Sequence, residues 1–143
     1  MTLDSFVDQD KKFAEYWQKV LDCKKCRLSL LCQHCCPGIG SLSSKIMFVG
    51  EAPGEVENEE LRNLTFVGNR SSDLMMGVIY GLWPRGYDEV YLTNVVKCNP
   101  PKNRAPRDDE VKTCSNLWLK WELYNIRPKM IVALGRVAAN FFG

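Results

Sequence analysis

From Leu3 to Leu21 the apolar positions Phe6, Phe13, Trp17, Val20 and Leu21 recur at helical spacing among charged residues, which predicts an amphipathic first helix with one buried face. The pattern then changes. Cys23 to Ser44 is rich in Cys, Ser and Gly, with Pro37-Gly38 as a turn signal, and reads as a loop region. Three short apolar runs follow at wide intervals: Lys45 to Gly50, Glu89 to Val96, and Met130 to Leu134 before Gly135. Runs this short, bounded by turn residues, predict buried strands. Between the first two, Leu74, Met75, Val78, Ile79 and Leu82 mark a helix capped by Ser71 or Ser72; between the last two, Val111, Cys114, Trp118 and Trp121 mark another.

Strands alternating with helices predict an α/β class: a three-layer α/β/α arrangement with a short parallel sheet covered on both faces. A length of 143 residues predicts one domain, residues 1–143. Ligands of open parallel sheets bind beyond the carboxyl ends of the strands. Glu51, in the tight Glu51-Ala52-Pro53-Gly54 loop, and Asn94 both fall there.

Charge and composition narrow the picture. Nineteen basic against seventeen acidic side chains give +2, too near neutral to announce nucleic-acid binding, so any DNA affinity must come from local patches. The stretch holding Lys97, Lys102, Arg104 and Arg107 among prolines is one such patch, able to contact phosphates. The alternative is a solvated connection balanced by Asp108, Asp109 and Glu110. The first residues lack a basic n-region, and no apolar run approaches the roughly 18 residues of a membrane span. A soluble protein of the cytoplasm or another reducing intracellular compartment is expected. There, seven cysteines are metal ligands or buried thiols rather than disulfides. The pair Cys23 and Cys26, with Cys98 ending the second strand and Cys114 inside a helix, suggests an iron-sulfur cluster joining distant segments. Cys23, Cys26, Cys32 and Cys35, with His34 or Cys36 as a further ligand, offer a zinc knuckle instead; tetrahedral sulfur sites admit either metal.

Five blocks occur in order: Gly50-Glu51-Ala52-Pro53-Gly54, Phe66-Val67-Gly68, Leu92-Thr93-Asn94-Val95-Val96-Lys97-Cys98, Pro100-Pro101 with Asn103-Arg104 and Pro106, and Leu134-Gly135 with Ala138. From Cys23 to the chain end they resemble the iron-sulfur branch of the uracil-DNA glycosylase superfamily, family 4. The resemblance implies that fold and hydrolysis of the N-glycosidic bond of a uracil rotated out of DNA, in base-excision repair. It implies that Asn94 reads the uracil edge with one donor and one acceptor, that Phe66 stacks on the ring, and that Gly50 and Ala52 line the substrate. Glu51 or Glu57 would position water or offset positive charge on the sugar. Lys102, Arg104 and Arg107 would touch DNA. Cys23, Cys26, Cys98 and Cys114 would hold a structural [4Fe-4S] cluster, with zinc as the alternative.

Three departures from the resemblance accompany these expectations. The chain stops at Gly143, before the His-Pro-Ser type block that follows a fourth strand in that family. The loop from Glu57 to Phe66 is longer than usual there, and Ser71-Ser72 stands where glycine is common. With the first strand central and the last strand missing, Met130 to Leu134 is an apolar edge expected to pair with the absent carboxyl-terminal segment or with a protein partner. Function then divides between a uracil-DNA glycosylase and a catalytically impaired DNA-binding or scaffold module, attached to replication machinery, with the same fold and cluster.

Overall fold

The computed structural model describes residues 3–55 and 70–143. Helix α1 spans Leu3–Leu21, as its periodicity predicts, and α2 is a five-residue helix, Arg27–Leu31, inside the stretch expected to be loop. One turn is too short to write a periodic signature, and Leu28 alone of its leucines is buried. Strands β1 (Ile46–Gly50), β2 (Val90–Asn94) and β3 (Met130–Ala133) alternate with helices α3 (Arg70–Leu82), α4 (Asp108–Cys114) and α5 (Lys120–Ile126), and α6 (Arg136–Phe142) follows β3. A π-helical turn, Ser115–Leu119, joins α4 to α5. Helix α3 already runs at Arg70, so Ser71 and Ser72 lie within it rather than capping it.

The sheet is wholly parallel in the order β2-β1-β3, with β1 central as expected. Its two faces carry different cores. Met47, Val49 and Tyr91 pack with Leu119, Ile126 and Ala138 from α5, its preceding turn and α6. Phe48, Val90 and Leu92 pack on the opposite face with Ile79 of α3. Each strand alternates faces because its side-chain period is two, yet β1 and β2 read as continuous apolar runs because both their faces are covered, whereas β3, expected to be buried, is largely exposed at the edge. Strand β2 ends at Asn94, four residues short of Cys98; Val95 and Val96 are apolar because they pack into two separate core clusters as loop residues, not because they extend the strand.

The sheet edges differ. The outer side of β2 is covered by the preceding loop, where Ile39 and Leu92 exchange N–H···O bonds of 2.8 Å in both directions. Strand β3 presents Met130 at 46% and Ile131 at 38% exposure, and its described neighbour in the sheet is β1 alone. Gly135 turns the chain from β3 into α6 at φ 88, a left-handed conformation that favours glycine.

Candidate functional site

The parallel register sets Gly50 directly opposite Asn94 at the carboxyl ends of the two strands. Beyond it the ladder continues: the Val95 N–H donates to the Gly50 carbonyl at 2.9 Å and the Val96 N–H to the Glu51 carbonyl at 3.1 Å. These bonds fix the Glu51 loop to the residues that follow Asn94. Glu51, Ala52, Pro53 and Gly54 then line an open cleft of about 250 Å³ together with Asn99, Pro100, Asn103 and Arg104. Asn94 is buried, while Glu51 and Ala52 are half-buried. Glu57 and Phe66 lie outside the described residues.

Asn99 ties the two walls of the cleft. Its Nδ2 donates to the Pro53 carbonyl at 2.9 Å and to Asn103 Oδ1 at 2.7 Å. The second wall is strained: Lys102 and Asn103 are consecutive left-handed residues at φ 55 and 54, which costs on the order of 1 kcal/mol each. Proline-rich sequence flanks this turn, and Asn103 is among the residues that tolerate it best.

The basic residues separate into two groups. Lys102 and Arg107 are exposed and make no ion pair among the described residues. Arg104 instead folds back onto Glu110, its two terminal nitrogens 2.9 and 2.8 Å from the two carboxylate oxygens. The Arg107 N–H and Arg27 Nε also donate to Glu110, at 2.8 and 3.1 Å. The Arg104 hydrogen bonds, opposed by burial and aided by the Arg107 N–H, hold the Glu110 carboxyl down at about 2. Part of the basic stretch is thus balanced internally, as the solvated-connection alternative has it.

Lys97 departs from the sequence reading as a phosphate contact. It is buried, and its Nζ donates to Thr93 Oγ1, to the Asn94 carbonyl at 2.7 Å and to Glu122 Oε2 at 2.8 Å. Lys97 and Glu122 are 1% and 0% exposed. Tyr16, Tyr91 at 3.1 Å and Thr93 at 2.8 Å donate to the same carboxylate. Burial, followed by the Glu122 charge, raises both tyrosine hydroxyls well above their usual range. The network binds α1, β2 and α5 to one another and anchors the backbone of Asn94 itself. A lysine inside an otherwise apolar run was the signal for it, since a charge there must be paired.

Five cysteines, Cys23, Cys26, Cys35, Cys98 and Cys114, line one small pocket together with Lys97, Leu117 and Trp118, with a cavity volume of about 10 Å³. It includes all four residues of the expected quartet. The Cys114 thiol accepts the Lys97 N–H at 3.2 Å, and burial pushes it up to about 12. Cys114 closes α4 immediately before the π turn, a distortion that often marks functional positions. A tighter group overlaps this quartet: the Sγ atoms of Cys32, Cys35 and Cys98 all lie within 4.8 Å of one another. Hydrogen bonds from Cys35 and Cys98 lower the Cys32 thiol to about 4, and the same coupling pushes Cys35 up to about 11.

The family model of the Uracil DNA glycosylase superfamily matches residues 37–143. The chain belongs to that superfamily. Within this glycosylase superfamily it is 42% identical over 124 residues to the type-4 uracil-DNA glycosylase of Sulfurisphaera tokodaii, covering 87% of the chain and 54% of that relative. It is 41% identical over 124 residues to the type-4 uracil-DNA glycosylase of Archaeoglobus fulgidus, covering 87% of the chain and 60% of the relative. The chain therefore spans little more than half the length of these glycosylases. A DNA polymerase of Bacillus phage SP01 shares 31% identity over 108 residues, covering 73% of the chain and 11% of the polymerase.

Proposed function

We propose that this chain belongs to a glycosylase that hydrolyses the N-glycosidic bond between uracil and deoxyribose in DNA, removing a deaminated base for repair. The observation that carries the reading is the Gly50 and Asn94 pairing at the strand ends, which sets buried Asn94 next to the strand that delivers the Glu51 loop, while that loop, and not Asn94 itself, lines the open cleft. Asn94 supplies a donor and an acceptor to the edge of a flipped uracil. Gly50 and Ala52 let the base approach the loop closely, and Phe66 stacks on it. Glu51 or Glu57 orients the attacking water and offsets the positive charge that develops on the sugar. Lys102 and Arg107 contact phosphates; Arg104 joins them only by leaving Glu110.

Cys23, Cys26, Cys98 and Cys114 are proposed to hold a [4Fe-4S] cluster. An all-thiol donor set drawn from three segments around one small pocket supports this, with zinc as the alternative occupant. The cluster supplies cross-linking rather than reaction chemistry, bracing the Asn99 to Arg107 wall against the amino-terminal segment. Met130 and Ile131, exposed on the outer strand, support a further strand pairing with β3, from more of the same protein or from a partner. No helix among the described residues is long and apolar enough to cross a membrane, and the cytoplasm is the proposed location.

The second reading is a DNA-binding module of replication machinery with little activity of its own. The similarity to part of a phage DNA polymerase favours it. A uracil-bearing single-stranded oligonucleotide, incubated with protein shown to contain iron and sulfide and then treated with alkali, separates the two. Cleavage that falls about a hundredfold or more in Asn94→Ala supports the glycosylase. An intact strand from loaded protein supports the module.

A further inference from the structure

We propose that Cys32, Cys35 and Cys98 form a second thiolate site, overlapping the quartet at Cys98, that binds a single zinc ion. The inference rests on the cluster reading only for the role of Cys98; the rest is geometry. Cys35 Sγ lies 3.2 Å from Cys98 Sγ and 4.0 Å from Cys32 Sγ, and all three sulfurs fall within 4.8 Å of one another. A tetrahedral zinc with zinc-sulfur bonds of about 2.3 Å needs sulfur-sulfur edges of about 3.8 Å, which the two measured distances bracket. A cubane cluster places each thiolate on a different iron, so its ligands stand farther apart than those of one ion. The trio is therefore gathered at the spacing of one ion, not at that of a cluster.

The surroundings agree with a three-ligand site. Cys35 and Cys98 are buried and Cys32 is half-buried, so the sulfurs converge from the interior and leave one side toward solvent. Three protein ligands leave a fourth tetrahedral position for water. The local chain supplies the geometry: α2 ends at Leu31, and the Cys32 N–H still donates to the Leu28 carbonyl at 2.9 Å. The Cys36 N–H donates to the Lys97 carbonyl across from it. That bond holds the Cys32-x-x-Cys35 turn beside the residue preceding Cys98. Because Cys98 belongs to both sets, occupation of the trio by zinc and of the quartet by a cluster exclude one another.

The test uses the full chain expressed under two regimes, zinc-replete with limiting iron and iron-replete, followed by elemental analysis of the purified protein. In the first regime the proposal expects about one zinc per chain in the wild type, and less than about a tenth of that in Cys32→Ser/Cys35→Ser and in Cys98→Ser. Cys32→Ser, at a half-exposed position, is the second variant should the double one fail to fold, and it too loses zinc. Cobalt in place of zinc gives a thiolate charge-transfer band in the wild type that Cys32→Ser loses together with the metal. In the iron-replete regime Cys32→Ser/Cys35→Ser retains wild-type iron, whereas Cys23→Ser loses it. Zinc retained in the double variant, or lost equally in Cys23→Ser, overturns the proposal. Iron lost in the double variant overturns it as well, by making the trio part of the cluster. Absence of iron from every protein in the iron-replete regime refutes the cluster reading instead and leaves the zinc result standing.

Discussion

Replacing Lys97 by Met removes the cation from a buried carboxylate while nearly preserving side-chain length. Lys97 and Glu122 are 1% and 0% exposed and 2.8 Å apart. Without Lys97, Glu122 keeps its hydroxyl donors, Tyr16, Tyr91 and Thr93, but faces no countercharge. Breaking a buried pair from one side costs about 3–5 kcal/mol, because an uncompensated charge stays behind. That is a fifth or more of the roughly 5–15 kcal/mol by which domains are stable. With a urea slope of about 2 kcal/mol/M, the unfolding midpoint should fall by about 1.5–2.5 M. Adding Glu122→Gln to Lys97→Met removes the stranded charge and should recover part of the loss, a coupling measurable as a double-mutant cycle. The exposed Arg85 and Glu89 pair, 3.3 Å apart with Arg85 at 74% exposure, is the control, and Arg85→Gln should change stability by less than about 1 kcal/mol. A loss below about 1 kcal/mol in Lys97→Met, or no recovery in the double variant, would refute the claim that this pair holds the three elements together.

Gly38→Ala should destabilise by about 1–3 kcal/mol in the same urea assay, because a Cβ there collides with the Tyr91 hydroxyl and the Glu122 carboxylate. Glu110 has its folded pKa depressed from 4.5 to about 2 by Arg104, so its contribution is present above about pH 4.5 and lost as pH falls through about 2. Urea midpoints of wild type and Glu110→Gln should therefore differ by a constant amount near neutrality and converge in acid; parallel curves down to pH 2 would contradict the pairing. Asn99→Ala removes both bonds that tie the cleft walls, and on the glycosylase reading should lower kcat about tenfold with a smaller change in KM. Equal loss of binding to an abasic-site oligonucleotide would assign it to general folding instead.

The fold was legible where periodicity was long or burial two-sided. Residues Leu3 to Leu21 make a full amphipathic stripe, and the run ending at Gly50 is a strand buried between helices, so pattern alone marked them; the run ending at Ala133 is a strand too, but one that lies exposed at the sheet edge. Helix α2 was not legible because five residues cannot display a period. The end of β2 was overrun because Val95 and Val96 are as apolar as strand residues while serving as loop packing. At the site, Glu51 and Asn94 were placed correctly at neighbouring strand ends by sheet logic. The role of Lys97 was misread because its partner Glu122 is 25 positions away, and no local pattern announces so distant a countercharge. Asn99 was hidden for a related reason: between Cys98 and Pro100 it resembles a turn residue, and its bond to Pro53 crosses 46 positions.

The Tyr16 hydroxyl and its Glu122 acceptor are separated by 106 positions. During synthesis at about 5–20 residues per second, roughly 5–20 s pass between the emergence of the two. Throughout that interval the first helix has its apolar face made and its polar anchor unmade. The first helix is thus locked in place only once Glu122 has emerged, and until then its apolar face is a surface that other chains and chaperones can reach.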